Sequence, residues 1–143
     1  MKKSNRKMSF GLAFAAVLGL VGTSAIAGKA EREWMKTKVK PAMVKAVKEY
    51  KTACGCNLKI IPDPKLKTQD ELNQIRNVSN SISREVGKYC TDKESKQAVC
   101  KMKTLKVSKA EETEFKFSGS TGSAFTDGHS YVSFDMITDV IDE

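Results

Sequence analysis

The sequence predicts an α+β domain, with two main helices and a short third helix packed on one face of a small antiparallel sheet formed mainly by the C-terminal third. Two features predict it. Between about Lys29 and Tyr89 the apolar residues recur at three- and four-residue spacing, whereas from Lys101 onward the period falls to two. Helices gathered towards one end of a chain and strands at the other suit an α+β layer arrangement. One apolar and one polar face per strand suits an antiparallel sheet with one wet side.

The first helix spans residues 29–53, where Met35, Val39, Ala42, Ala46, Tyr50 and Ala53 form the apolar stripe and lysines fall opposite. Pro41 lacks an amide proton and crowds the preceding turn, so a kink or restart is expected there. Gly55 ends the helix by taking a left-handed φ. Residues 57–61 read as a short strand, stopped by Pro62-Asp63-Pro64.

The second helix runs over residues 69–89. Thr68-Gln69-Asp70-Glu71 is a capping box, and Leu72, Ile75, Val78, Ser79, Ile82, Val86 and Tyr89 make one face. A second box, Thr91-Asp92-Lys93-Glu94, starts a short helix ending near Val99. Strands follow around Leu105/Val107, Phe115/Phe117 and Val132/Phe134/Met136. Asp127-Gly128 reads as a two-residue hairpin turn pairing Thr126 with His129. Residues 118–123 read as a flexible loop or a bulged strand start, and residues 139–143 as a last strand turn or a frayed helix.

The N-terminus has the pattern of a secretory signal. Lys2, Lys3, Arg6 and Lys7 precede an apolar run from about Phe10 to Val21, followed by Ala25-Ile26-Ala27. The run is about a dozen residues, short of the roughly 20 that span a bilayer. The expectation is a cleaved signal at 1–27 and a single disulfide-stapled domain at 28–143 with no transmembrane segment. That places the mature chain in the periplasm or the surrounding medium. Its charge is +4, from 21 basic and 17 acidic residues. The balance is uneven: residues 28–67 carry +7 and residues 68–143 carry −3. An anionic partner or membrane surface is one reading of that asymmetry, and a solvated helix face is the plainer one. Export and the lack of interleaved aromatic and basic residues argue against nucleic acid.

Cys54, Cys56, Cys90 and Cys100 all lie in the exported part, where an even cysteine count implies disulfides. Three pairings exist. One joins Cys54 to Cys56 and Cys90 to Cys100. The other two tie the Cys54-Gly55-Cys56 unit to Cys90 and Cys100, one way or the other, and are favoured because a bridge across a single residue tends to strain. The spacing does not match paired zinc knuckles, so no metal is expected. A thiol–disulfide enzyme using the Cys54-Gly55-Cys56 pair is the alternative function. Against it, the pair follows a helix C-terminus, where the dipole disfavours a thiolate.

His129, with Asp127, Ser123 and Ser130 nearby, lacks the nucleophile elbow of a serine hydrolase. The serine/glycine stretch lacks the lysine and helix start of a phosphate loop, so no cofactor is expected. What remains is a small exported, non-enzymatic binding module recognising a protein or envelope component, an inhibitor among the options. Its candidate surfaces are Lys36, Lys40 and Lys48 on the first helix, and Ser120, Ser123 and His129 near the turns.

Overall fold

The computed structural model describes residues 28–143; the expected signal peptide at 1–27 lies outside the described residues. Helix α1 is continuous through three windings: α-helical Lys29–Trp34, π-helical Met35–Val39 and α-helical Lys40–Cys54. The π segment is the outcome at Pro41. Proline supplies no amide to the ladder, and the Lys40 amide donates to the Met35 carbonyl five residues back. The wider turn absorbs the irregularity without breaking the helix. Met35, Val39, Ala42, Ala46 and Tyr50 are buried, as the stripe predicts. The helix stops at Gly55, φ 83°.

Strand β1 (Lys59–Pro62) follows, then α2 (Gln69–Tyr89) and α3 (Lys93–Val99). The capping box at α2 is complete, with the Thr68 side chain accepting from the Glu71 amide and Glu71 reaching back to the Thr68 amide. The cap of α3 is Asp92 rather than Thr91: its carboxylate accepts from both the amide and the hydroxyl of Ser95. Strands β2 (Thr104–Lys109), β3 (Glu114–Ser118) and β4 (Thr121–Thr126) lead into helix α4 (Phe134–Ile141).

The fold is α+β, with helices packed against a four-stranded sheet among the described residues, but the sheet is mixed and not antiparallel. Its order is β1-β2-β4-β3. β1 pairs with β2 and β2 with β4 in parallel, and only β3–β4 is antiparallel. Two connections cause this. Helices α2 and α3 form the long crossover that a parallel β1–β2 pair requires. The chain then leaves β2 for the outer position, makes β3, and returns through a hairpin to insert β4 beside β2.

That hairpin also departs from the sequence expectation. It is closed by Gly119-Ser120 between the paired Ser118 and Thr121, so of the two readings of residues 118–123 the flexible loop fails, while residues 121–123 do start a strand. Gly119 takes φ 64°, which suits the first position of a two-residue hairpin turn. Gly122 is needed for close approach, since a Cβ there would lie 2.6 Å from both Met102 Sδ and Phe115 Cζ.

The expected hairpin at Asp127-Gly128 does not form. Only Gly128 has positive φ, whereas a type I′ turn needs it at both central residues. The Asp127 carboxylate instead accepts from the amides of His129 and Ser130, turning the chain towards α4. Phe134 and Met136 of the expected strand instead lie in the first turn of α4, capped by Ser133, with Val132 just before it, and residues 139–141 continue the helix. Phe134, Ile137, Thr138 and Ile141 are its buried face, a helical spacing that outlasts the three-residue alternation.

The core lies between the helices and one face of the sheet. Ile60, Leu105, Val107, Phe115 and Ala124 meet Val39, Ala46 and Tyr50 of α1, Ile75, Val78 and Ile82 of α2, and Phe134 and Ile137 of α4. Buried polar groups tie the layers. The Ser81 hydroxyl accepts from the Phe134 amide at 2.8 Å. Glu71 accepts from Lys109 at 2.5 Å, joining the start of α2 to the end of β2.

Candidate functional site

The cysteines pair Cys54–Cys90 and Cys56–Cys100, one of the two interlocking arrangements. Cys54 ends α1 and Cys90 follows α2, so the first bridge joins the two long helices. The second ties the turn after α1 to the end of α3. Cys54 and Cys90 are buried, and Cys56 and Cys100 are half-buried. The neighbouring sulfurs of the Cys54-Gly55-Cys56 unit thus belong to separate bridges.

Around His129 the polar groups satisfy their own loop. The His129 and Ser130 backbone amides bond to Asp127 and hold its carboxyl below the usual range. The Ser130 hydroxyl lies 2.6 Å from that of Thr113 and 3.2 Å from the Asp127 carboxylate. Thr126 donates to the Ser130 carbonyl and accepts from the Gly128 amide. His129 is exposed, and Ser123 sits mid-strand on β4, so the two do not form a nucleophile–base pair. Among the described residues no group of three or more His, Cys, Asp or Glu is arranged to hold a metal ion. None of their helices is long and apolar enough to cross a membrane.

A polar cleft of about 500 Å³ lies along α3, beside the ends of α2 and α4, lined in part by Tyr89, Asp92, Glu94, Lys101 and Asp142. The Tyr89 hydroxyl donates to the Asp142 carboxylate, an interaction that, with burial, pushes the tyrosine up to about 12. The two groups bond each other at the edge of the cleft.

Among the described residues, two basic surfaces stand out. On α1, Lys36, Lys40, Val44 and Lys48 follow one another at four-residue spacing, which stacks them along one side of a helix. All four are exposed, Val44 to 68%. The second surface is the face of the sheet turned away from the helices. Strand alternation puts Leu105 and Val107 into the core and Lys106 outside, and Phe115 inside with Lys116 outside. The register aligns Ile61, Lys106, Ser123 and Lys116 in one row across all four strands. Lys59, Thr104, Thr121 and Ser118 form the next row. Beyond the first row lie Ser108, Phe125 and Glu114.

This bare face therefore carries three lysines, five Ser/Thr hydroxyls, one half-buried phenylalanine, one isoleucine and one carboxylate. Lys106 and Lys116 flank Ser123, two strand spacings or about 10 Å apart. Lys116 lies 5.9 Å from the Phe125 ring centroid and 3.8 Å from the exposed Glu114 carboxylate. An ion pair that exposed is weak and leaves the lysine available.

Of the residues predicted as binding surface, Lys36, Lys40 and Lys48 stand on the helical layer, Ser123 on the bare sheet face, Ser120 in the hairpin turn and His129 in the loop after β4. The fold does not gather them into one patch. Sequence reasoning missed Lys59, Lys106, Lys116 and Phe125 as a group. The triplets Leu105-Lys106-Val107 and Phe115-Lys116-Phe117 mark the two lysines as outward, but only strand order makes them neighbours of Ser123. Comparison with protein-family models, curated proteins and solved structures yields no match for this chain.

Proposed function

We propose that this protein is a small exported, non-enzymatic binding module that recognises an envelope component through the helix-free face of its sheet. The observation carrying the proposal is the composition of that face: an exposed lysine at Lys59, Lys106 and Lys116, set among Thr104, Ser108, Ser118, Thr121 and Ser123. An open face of that kind attracts an anionic partner and hydrogen-bonds to it without enclosing it.

Export to the periplasm or beyond is supported by the signal-like N-terminus and by two disulfides, which are compatible with an oxidising compartment. A thiol–disulfide enzyme would need Cys54 and Cys56 as one couple, and each is bonded elsewhere. A second recognition surface is supported by the exposed row Lys36-Lys40-Val44-Lys48, whose lysines suit electrostatic contact with an anionic membrane surface without insertion.

Cosedimentation of the purified protein with isolated envelope separates these surfaces. Lys59→Glu/Lys106→Glu/Lys116→Glu is expected to lose binding, with wild-type binding weakening as salt rises. Lys36→Glu/Lys40→Glu/Lys48→Glu is expected to retain it. The opposite pattern assigns recognition to α1, and retention by both variants defeats the proposal.

A further inference from the structure

We infer that the partner of the bare sheet face is an anionic polysaccharide, a glycan chain bearing carboxylate or phosphate groups, lying across the strands. The inference rests on the proposed role of that face and specifies its ligand. Four properties of the surface point to this chemistry.

The first is charge. Lys59, Lys106 and Lys116 are exposed, and Glu114 is the one carboxylate among the outward strand positions. Lys106 and Lys116, about 10 Å apart across the row, match charges repeated along a polymer better than a single compact anion.

The second is hydroxyl density. Thr104, Thr121 and Ser118 share one row, Ser123 sits between the two lysines, and Ser108 borders Phe125. Hydroxyls donate and accept, as sugar hydroxyls do.

The third is the solitary aromatic. Phe125, half-buried on the inner strand β4, offers an apolar platform beside Lys116. A sugar ring has an apolar C–H face suited to such a platform, and an aromatic side chain presents a large apolar area to it.

The fourth is what the face lacks. Protein–protein interfaces are depleted in lysine and serine at their centres and enriched in large apolar anchors, the reverse of this surface. A membrane-inserting surface needs exposed apolar bulk, and here Ile61, 38% exposed, and Phe125 are all there is. Single-stranded nucleic acid uses successive aromatic platforms, and Phe125 stands alone.

The test is titration calorimetry of the purified, oxidised protein with four probes: polygalacturonate, its methyl-esterified neutral counterpart, poly-glutamate, and phosphatidylglycerol vesicles. Polygalacturonate is expected to bind at least about tenfold more tightly than each of the others, and to weaken as salt rises. Lys59→Glu/Lys106→Glu/Lys116→Glu is expected to reduce that affinity about tenfold or more. Lys106→Glu alone, at one exposed position, should give a smaller loss in the same direction and guards against misfolding of the triple variant. Phe125→Ser is expected to weaken binding while leaving the salt dependence unchanged.

Equal binding of poly-glutamate or vesicles, lost in the triple variant, overturns the glycan assignment and leaves the basic recognition face standing. Wild-type binding of polygalacturonate by the folded triple variant overturns both.

Discussion

The Tyr50 hydroxyl lies 2.6 Å from the carbonyl oxygen of Val99, 49 residues further along the chain, and 2.9 Å from that of Met102. One phenolic proton thus serves two carbonyls in the turn between α3 and β2. Tyr50, Val99 and Met102 are all fully buried, so water cannot replace the contact. Burial also raises the tyrosine pKa, which keeps the phenol protonated. Tyr50→Phe keeps the ring, takes the phenolic donor from the Met102 carbonyl and leaves the Val99 carbonyl with the Met102 amide alone. It should cost about 1–3 kcal/mol, the penalty for an unsatisfied buried polar group. Urea denaturation read at its midpoint checks this. A loss below about 0.5 kcal/mol means the turn finds other partners.

The two disulfides should be separable. Each closes a loop of some forty residues, with separations of 36 and 44, worth about 4 kcal/mol in the chain-entropy model. Cys54→Ala/Cys90→Ala also removes buried sulfur between the long helices, whereas Cys56 and Cys100 are half-exposed. The first double variant should therefore be the less stable of the two, since only it leaves a void in the core. Graded reduction followed by alkylation and peptide mass spectrometry should open Cys56–Cys100 first, because reductant reaches it. Recovery of a Cys54–Cys56 bridge from the native protein would contradict the pairing.

Glu71 makes stability depend on acid. Burial alone would raise its pKa, but hydrogen bonds from Lys109 and the amides of Thr68 and Lys67 outweigh that and lower it from 4.5 to about 2. A folded value below the unfolded one contributes stability that is complete above about pH 4.5. The contribution disappears as pH falls through about 2. Wild-type stability should accordingly fall more steeply than that of Glu71→Gln between pH 4.5 and 2, measured by denaturant midpoints. Parallel curves would mean that the Lys109–Glu71 pair adds nothing in water.

Much of the helical half was readable before any coordinates. The stripe from Met35 to Tyr50, the bounds of α2 and its Thr68/Glu71 box are local signals: each is settled by residues within a turn or two. The cap of α3 was displaced by one residue because Thr91 and Asp92 are both good caps. The serine that holds α4, Ser81, gave no sign in the sequence, since it is a polar residue in α2 whose partner is 53 positions away. For α4 the signal was present but ambiguous. Val132, Phe134 and Met136 alternate like a strand, while Phe134, Ile137 and Ile141 keep helical spacing, and a short window does not decide between them.

The sequence alone determined which segments are helical up to Tyr89, that Lys106 and Lys116 face outward, and that the cysteines interlock or close locally. Tertiary structure decided which cysteine meets which, that β1 and β4 run parallel to β2, and therefore that Lys106, Ser123 and Lys116 share one row. The physical reason is range. Helix periodicity and caps act between near neighbours, whereas strand order and disulfide choice depend on contacts between distant segments, selected by how the whole core packs. The candidate recognition surface belongs to this second kind, since its residues become neighbours only once the sheet is assembled.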